Sequence, residues 1–230
     1  ILIAAELRAV GIDANCAPVA DIAGPLTHPF LRNRCYGQEV DIVTKVSRSV
    51  ADAHLAQGVL PVVKHMPGHG RSVNDTHHNL PTVTTDKATL AATDFAPFRA
   101  LRDLPMAMTA HIIFEAYDPI NPATQSINVI QAIRHEIGFA GLLLTDDLNM
   151  QALSGSLSER TSRSLAAGCD IALHCKGDFD EMQAVAQAAG AMSPATQLRA
   201  KAALGQRQHA KIIDIAALEA EFSALLGEHR

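Results

Sequence analysis

Val59-Leu60-Pro61-Val62-Val63-Lys64-His65-Met66-Pro67-Gly68-His69-Gly70 is the stretch that decides the fold. Val59, Leu60, Val62 and Val63 read as a short strand with both faces covered, and a polar burst begins where that strand should end. The burst brings together a cation, two imidazoles, a proline and two glycines, and Asp75-Thr76-His77 follows just behind it. Core-building needs no such cluster. A site at the mouth of a strand does.

Outward from this strand, the chain alternates between strand and helix. Residues 1–10 predict the tail of a helix closed by Gly11, and 13–20 a strand ending at Asp21. A polar, proline-containing loop over 21–38 leads to a helix over 39–57 with Gly58 at its C-terminal cap. After the histidine-rich loop, Thr85 or Asp86 starts a helix reaching Arg102, and 105–114 is a third strand. Ser126 caps a helix whose Ile127, Ile130, Ile133 and Ile137 fall at helical spacing, and Gly138 ends it. Residues 141–145 predict a fourth strand, followed at once by Asp146-Asp147. A helix over 158–167 and Gly168 lead to a fifth strand, 170–175. The pattern from Phe179 onward is helical, with Ser193-Pro194 as cap and first turn.

Strands alternating with helices of this length imply parallel strands joined by right-handed crossovers. The strands are apolar almost throughout, as expected when both faces are covered. Polar residues crowd their C-terminal ends: Asp21, Lys64-His65, His111, Asp146-Asp147 and His174. No glycine-rich phosphate loop follows a strand, which disfavours a doubly wound dinucleotide fold. The predicted class is therefore α/β, a (β/α)8 TIM-type barrel with its site at the C-terminal strand ends, of which five strands can be counted. Residues 1–230 are expected to form one domain, 178–230 supplying its C-terminal helices.

Bulk properties exclude several functions. With 230 residues, 48% hydrophobic, the chain can bury a sizeable core. A formal charge of −5 and no basic run longer than two residues argue against nucleic acid or an anionic membrane as partner. Cys16, Cys35, Cys169 and Cys175 show no CxxC spacing and read as reduced thiols rather than a disulfide scaffold. No apolar run reaches membrane-spanning length and no secretory signal is visible, so the expected compartment is the cytoplasm. Residue 1 is Ile rather than a start methionine.

The residues permit a defined chemistry. Histidine, with an ordinary pKa of ~6.5, gives or takes a proton near neutrality, and Asp75 two residues from His77 could fix its tautomer. An Asx-type turn beside a solvated histidine would explain the same pair. Lys64 and His65 could donate to ligand hydroxyls. Gly68 and Gly70 permit backbone angles closed to other residues, and Pro67 stiffens the turn. Asp146, after Leu142-Leu143-Leu144-Thr145, is held by its strand and could attack an electrophilic carbon, act as a base or ligate a metal; it could also cap the following helix. His65, His69, Asp75 and His77 are zinc-competent residue types, yet their spacing matches neither HExxH nor a Cys/His finger. No metal or other cofactor is expected.

Taken together, these blocks carry a resemblance. Lys64 to Gly70, then Asp75-Thr76-His77 and Leu80-Pro81, resembles the signature of bacterial β-N-acetylhexosaminidases of glycoside hydrolase family 3. Ala17-Pro18-Val19-Ala20-Asp21, Arg34-Cys35-Tyr36-Gly37, Met108-Thr109-Ala110-His111 and Thr145-Asp146-Asp147-Leu148 resemble its other blocks in the same order, over nearly all of residues 1–177. The resemblance implies a retaining exo-β-N-acetylglucosaminidase that removes terminal N-acetylglucosamine from peptidoglycan-derived muropeptides. It implies Asp146 as nucleophile, His77 as acid/base supported by Asp75, and Asp21, Arg34, Lys64 and His65 as the groups that hold the sugar. His69 receives no role beyond shaping the loop.

Members of that family carry roughly three more strand-helix units ahead of the position of Ile1, in a barrel of about 250 residues. The open wall this leaves predicts self-association across the exposed sheet edge. Three alternatives stay open: a family 3 β-glucosidase, a phosphorylase using phosphate in place of water, and a non-catalytic or incompletely folded glycan-binding fragment.

Overall fold

The computed structural model of the chain describes residues 1–73 and 79–227. Its strands are β1 (Ala14–Asn15), β2 (Leu60–Met66), β3 (Thr82–Val83), β4 (Met106–Thr109), β5 (Ile113–Phe114), β6 (Leu142–Asp147) and β7 (Ile171–Leu173). The helices begin with α1 (Leu2–Ala9), α2 (Pro29–Arg32) and α3 (Val40–Ala56), followed by α4 (Lys87–Ala92), α5 (Ala96–Ala100) and α6 (Ile127–Ala132). Four more follow, α7 (Leu157–Ala167), α8 (Phe179–Ala189), α9 (Pro194–Gly205) and α10 (Ile215–Gly227).

Among the described residues, β1, β2, β4, β6 and β7 pair in that order as one parallel sheet. The sheet curls into a half-barrel of the TIM type, the predicted class. No described strand pairs with the outer edge of β1 or of β7. Helices cover the outer face, and the core between the layers holds Phe95, Phe98, Leu101, Ile133 and Phe139, each fully or almost fully buried. Each such side chain contributes about 1.5–3 kcal/mol relative to exposure. Because all five strands point one way, their C-terminal ends share one rim, and that rim carries the polar blocks.

Three predicted elements take another form. The strand expected over 13–20 pairs regularly only at Ala14–Asn15, because Pro18 has no N–H to give to the ladder. Contact with β2 resumes beyond it, where Lys64 N–H donates to Pro18 O at 3.0 Å and Ala20 N–H to Lys64 O at 2.8 Å. The helix expected up to Arg102 divides into α4 and α5, with Pro97 in the first turn of the second. The strand expected over 105–114 divides as well: β4 stays in the main sheet, while β5 joins β3 in a separate two-stranded parallel sheet.

The C-terminal helices attach unequally. From α9, Ala203 packs on Leu142 and Leu144 of β6. Arg199 of the same helix donates to Asp170 at 2.8 Å. No residue of α10 is buried. Among the described residues, no helix is long and apolar enough to cross a membrane.

Candidate active site at the strand ends

The loop after β2 is shaped by close packing. A Cβ added at Gly70 would lie 1.8 Å from the Ile22 carbonyl oxygen, so only glycine fits there. Thr27 donates its hydroxyl to the Gly70 carbonyl, and Gly68 takes a φ of +145°. The turn thereby lies against the chain that follows Asp21.

Asp21 is wholly buried, and three N–H groups converge on its carboxylate. His69 N–H donates to Oδ1 at 2.7 Å, and His65 N–H lies 3.2 Å and 3.3 Å from the two oxygens. His65 Nδ1 stands 2.7 Å from Oδ2. Burial alone would raise the Asp21 pKa, but the adjoining His65 ring, its hydrogen bond and the His69 N–H hold it below the usual carboxylate value. An ionised carboxylate only accepts, so Nδ1 is the nitrogen that carries the proton. The contacts on the Asp21 oxygens come from His65 and His69, so among the described residues this carboxylate faces the strand-end loop behind the rim.

The other edge of the His65 ring faces Asp146, with Nε2 4.0 Å from Oδ2. That gap is too long for a direct hydrogen bond. The Asp146 side chain keeps 17% of its surface exposed, enough to meet a ligand. Asp147 N–H donates to Asp146 Oδ1 at 2.8 Å. Burial pushes the Asp146 pKa up, yet the His65 and His111 imidazoles and the Asp147 N–H bring it below the ordinary value. Asp146 is thus an ionised carboxylate at neutral pH, rigid on β6. Its oxygens do not cap a following helix, which removes the structural alternative for this residue.

His111, at the end of β4, is a participant that the sequence marks only as a strand-end polar residue. Its Nε2 donates to the Asp147 carbonyl at 3.0 Å, because that oxygen only accepts. Burial pushes the His111 pKa down against the pull of Asp146. Burial thus favours the neutral ring, and its Nδ1 lies 2.7 Å from the Thr124 hydroxyl oxygen. Asp147 Oδ1 in turn accepts from Cys175 N–H at 3.1 Å and Asn149 N–H at 3.0 Å, tying β6 to the end of β7. His69 packs its ring 5.2 Å from that of His65, and burial lowers its pKa to about 4.

The remaining expected site residues divide. Lys64 is half-exposed on the rim, within electrostatic reach of Cys175. Arg34 is exposed; it donates to Phe30 O at 3.3 Å and stacks on the Phe30 ring, and no described contact joins it to the Asp21-His65-Asp146 cluster. Asp75 and His77 lie outside the described residues. Among those described, no group of three or more His, Cys, Asp or Glu side chains is arranged to hold a metal ion.

A cavity of about 790 Å³ begins at Ile22 and Gly70, directly beyond Asp21 and His69, and extends past Arg71, Thr82 and Asp94. A second cavity, of about 540 Å³ between β7 and α8, lies away from these carboxylates. Neither cavity is lined by Lys64, His65 or Asp146.

The chain is similar to known proteins over most of its length. Residues 1–204 match the family described as "Glycosyl hydrolase family 3 N terminal domain". A Bordetella pertussis protein named "Beta-hexosaminidase" is 33% identical over 186 residues, covering 79% of this chain and 53% of that protein. A Vibrio cholerae protein of the same name is 36% identical over 179 residues, covering 76% and 53%. The chain spans about half the length of these curated relatives. Among solved structures, a glycoside hydrolase family 3 beta-N-acetylglucosaminidase from Paenibacillus sp. superposes with a TM-score of 0.82 at 33% identity, covering 92% of this chain and 44% of that one. Native NagZ from Neisseria gonorrhoeae gives 0.78 at 28% identity, with 95% and 62% covered.

Proposed function

The chain belongs to glycosyl hydrolase family 3, and on that premise we propose that its strand-end cluster is the sugar-cleaving centre of a retaining exo-β-N-acetylglucosaminidase. One observation carries the reading: an ionised Asp146 on β6, partly open to ligand, stands beside a His65 ring that Asp21 holds from behind. The names of the relatives, beta-hexosaminidase and beta-N-acetylglucosaminidase, supply the sugar.

In this mechanism an Asp146 oxygen attacks the anomeric carbon while His77 gives its proton to the leaving glycosidic oxygen, producing a covalent glycosyl ester. His77 then takes a proton from water, the water oxygen attacks the same carbon, and the Asp146 carboxylate is released. Two inversions give net retention. The spacing rule for paired carboxylates does not apply when the acid/base is a histidine. Lys64 and His65 bind sugar hydroxyls.

The natural substrate in this reading is a muropeptide fragment, and the compartment is the cytoplasm, where four free thiols are stable. A second copy covers the outer edges of β1 and β7, since an edge that pairs with no described strand invites strand addition. A monomer at micromolar concentration in sedimentation equilibrium would overturn that last element.

The deciding experiment incubates the protein with a 5-fluoro N-acetylglucosaminyl fluoride and maps the adduct by mass spectrometry. A sugar ester on Asp146 is expected. Labelling of another residue, or hydrolysis of an aryl β-glucoside in preference to the aryl β-N-acetylglucosaminide, would overturn the reading. Running the aryl assay in phosphate and looking for a sugar phosphate separates hydrolysis from phosphorolysis.

A further inference from the structure

We propose that Asp21 is a positioning residue that acts on the reaction only through His65: it holds the imidazole as the Nδ1–H tautomer in one orientation and so aims Nε2 at Asp146 and the sugar. The kinetic half of this inference rests on the glycosidase reading; the spectroscopic half does not.

Geometry leaves Asp21 no direct role. The carboxylate is wholly buried, and its oxygens are taken by the His65 backbone N–H, the His65 ring and the His69 backbone N–H. The same contacts define the ring. With Nδ1–H given to Oδ2 at 2.7 Å and the backbone N–H of the same residue held by the same group, His65 is fixed at two points. Its Nε2 is then directed to the side where Asp146 Oδ2 stands at 4.0 Å. Without Asp21 the ring could exchange its proton to Nε2 or rotate, and either change alters what Nε2 presents to a sugar hydroxyl.

Residues from three elements surround this pair. Asp21 follows β1, His69 follows β2 with its ring 5.2 Å from that of His65, and Asp146 projects from β6. Asp21 is the group in direct hydrogen-bond contact with Nδ1.

The test has two arms. In the ¹⁵N-labelled wild-type chain, the His65 ring signals are assigned by their loss in His65→Gln. Nδ1 is expected to remain protonated from pH 6 to 8, with a slowly exchanging proton. An Nε2–H tautomer overturns the proposal, whatever the activity. In the second arm, Asp21→Ala, His65→Gln and the double variant are compared on an aryl β-N-acetylglucosaminide. Asp21→Ala is expected to lower kcat/KM about 100-fold, the scale of a misplaced contact group. The double variant should be no slower than His65→Gln alone, because residues that act as a unit are non-additive. Losses that multiply would show that Asp21 meets the substrate by itself. If Asp21→Ala does not fold, the wild-type tautomer still decides.

Discussion

The rim of the sheet and the last helix of the chain handle polarity in opposite ways. At the rim, Asp21, His65 and His111 are buried, and each finds partners: Asp21 on three N–H groups, His111 between Thr124 and the Asp147 carbonyl. In α10, Ile215, Phe222, Leu225 and Leu226 are each about half exposed and no residue is buried. Polar groups inside and apolar groups outside both run against the hydrophobic effect. They do so with different consequences. Burying a charged group is costly unless it is matched, so the rim tolerates little change. A helix with no buried residue holds few native contacts to lose. The contrast teaches where this chain's specificity resides: in the matched polar contacts between strand ends, more than in its C-terminal apolar surface.

Substitutions can break or sharpen this contrast. The largest effect is expected from Asp146→Ala, which should lower kcat on an aryl β-N-acetylglucosaminide by about 10⁴-fold or more, as loss of a nucleophile does. Circular dichroism should stay unchanged, because Asp146 bears on chemistry rather than on the fold.

Next comes Asp170, the anchor between the sheet and α9. Its buried carboxylate accepts from Arg134 at 2.7 Å, Arg199 at 2.8 Å, Thr196 at 3.0 Å and Leu143 N–H at 3.0 Å. Asp170→Ala leaves the Arg134 guanidinium uncompensated, and urea unfolding should report a loss of about 3–5 kcal/mol. Gly70→Ala forces a Cβ onto the Ile22 carbonyl and should cost about 3 kcal/mol in the same assay. A wild-type melting curve for Gly70→Ala would mean that the rim is less tightly built than its contacts indicate, and one for Asp170→Ala would mean the same of the α9 anchor.

A smaller effect is expected from pH. The folded-state His69 pKa, lowered to about 4 by burial, lies below its unfolded value of about 6.5. As pH falls from about 6.5 to about 4, the unfolded chain takes up a proton that the folded one refuses, so stability falls. Asp21 and Asp146 have depressed pKa values, and their contribution is lost only at lower pH, below the ordinary carboxylate range. His69→Gln should flatten the dependence of Tm on pH between 6.5 and 4 and leave the more acidic limb in place. The smallest effect belongs to α10: deleting residues 212–230 should change unfolding free energy by less than about 1 kcal/mol. A loss of several kcal/mol would erase the contrast between the two regions.

Much of the architecture is legible in the residues. β2 and β6 announce themselves as unbroken apolar runs because both their faces are covered, and Ser126, Gly168 and Ser193-Pro194 mark helix ends as expected. The pairing of β3 with β5 is not legible, since two-residue strands have no periodicity to read. The break at Pro18 is visible as a proline, but its consequence depends on which neighbour would have received the missing N–H.

The same division runs through the site. Local sequence placed Lys64, His65 and Asp146 at strand ends, because the change from apolar run to polar residue is a local event. The roles of Asp21 and His111 depended on partners far along the chain: Asp21 on His65, 44 residues away, and His111 on the Asp147 carbonyl, 36 residues away. A hydrogen bond has a direction and a length that no spacing along the chain encodes. The sequence by itself determined the alternation of strands and helices and the crowding of polar residues at one rim. Only the tertiary structure decided which of them face a ligand and which, like Asp21, face one another, because that choice is made by where curling the sheet brings its strand ends together.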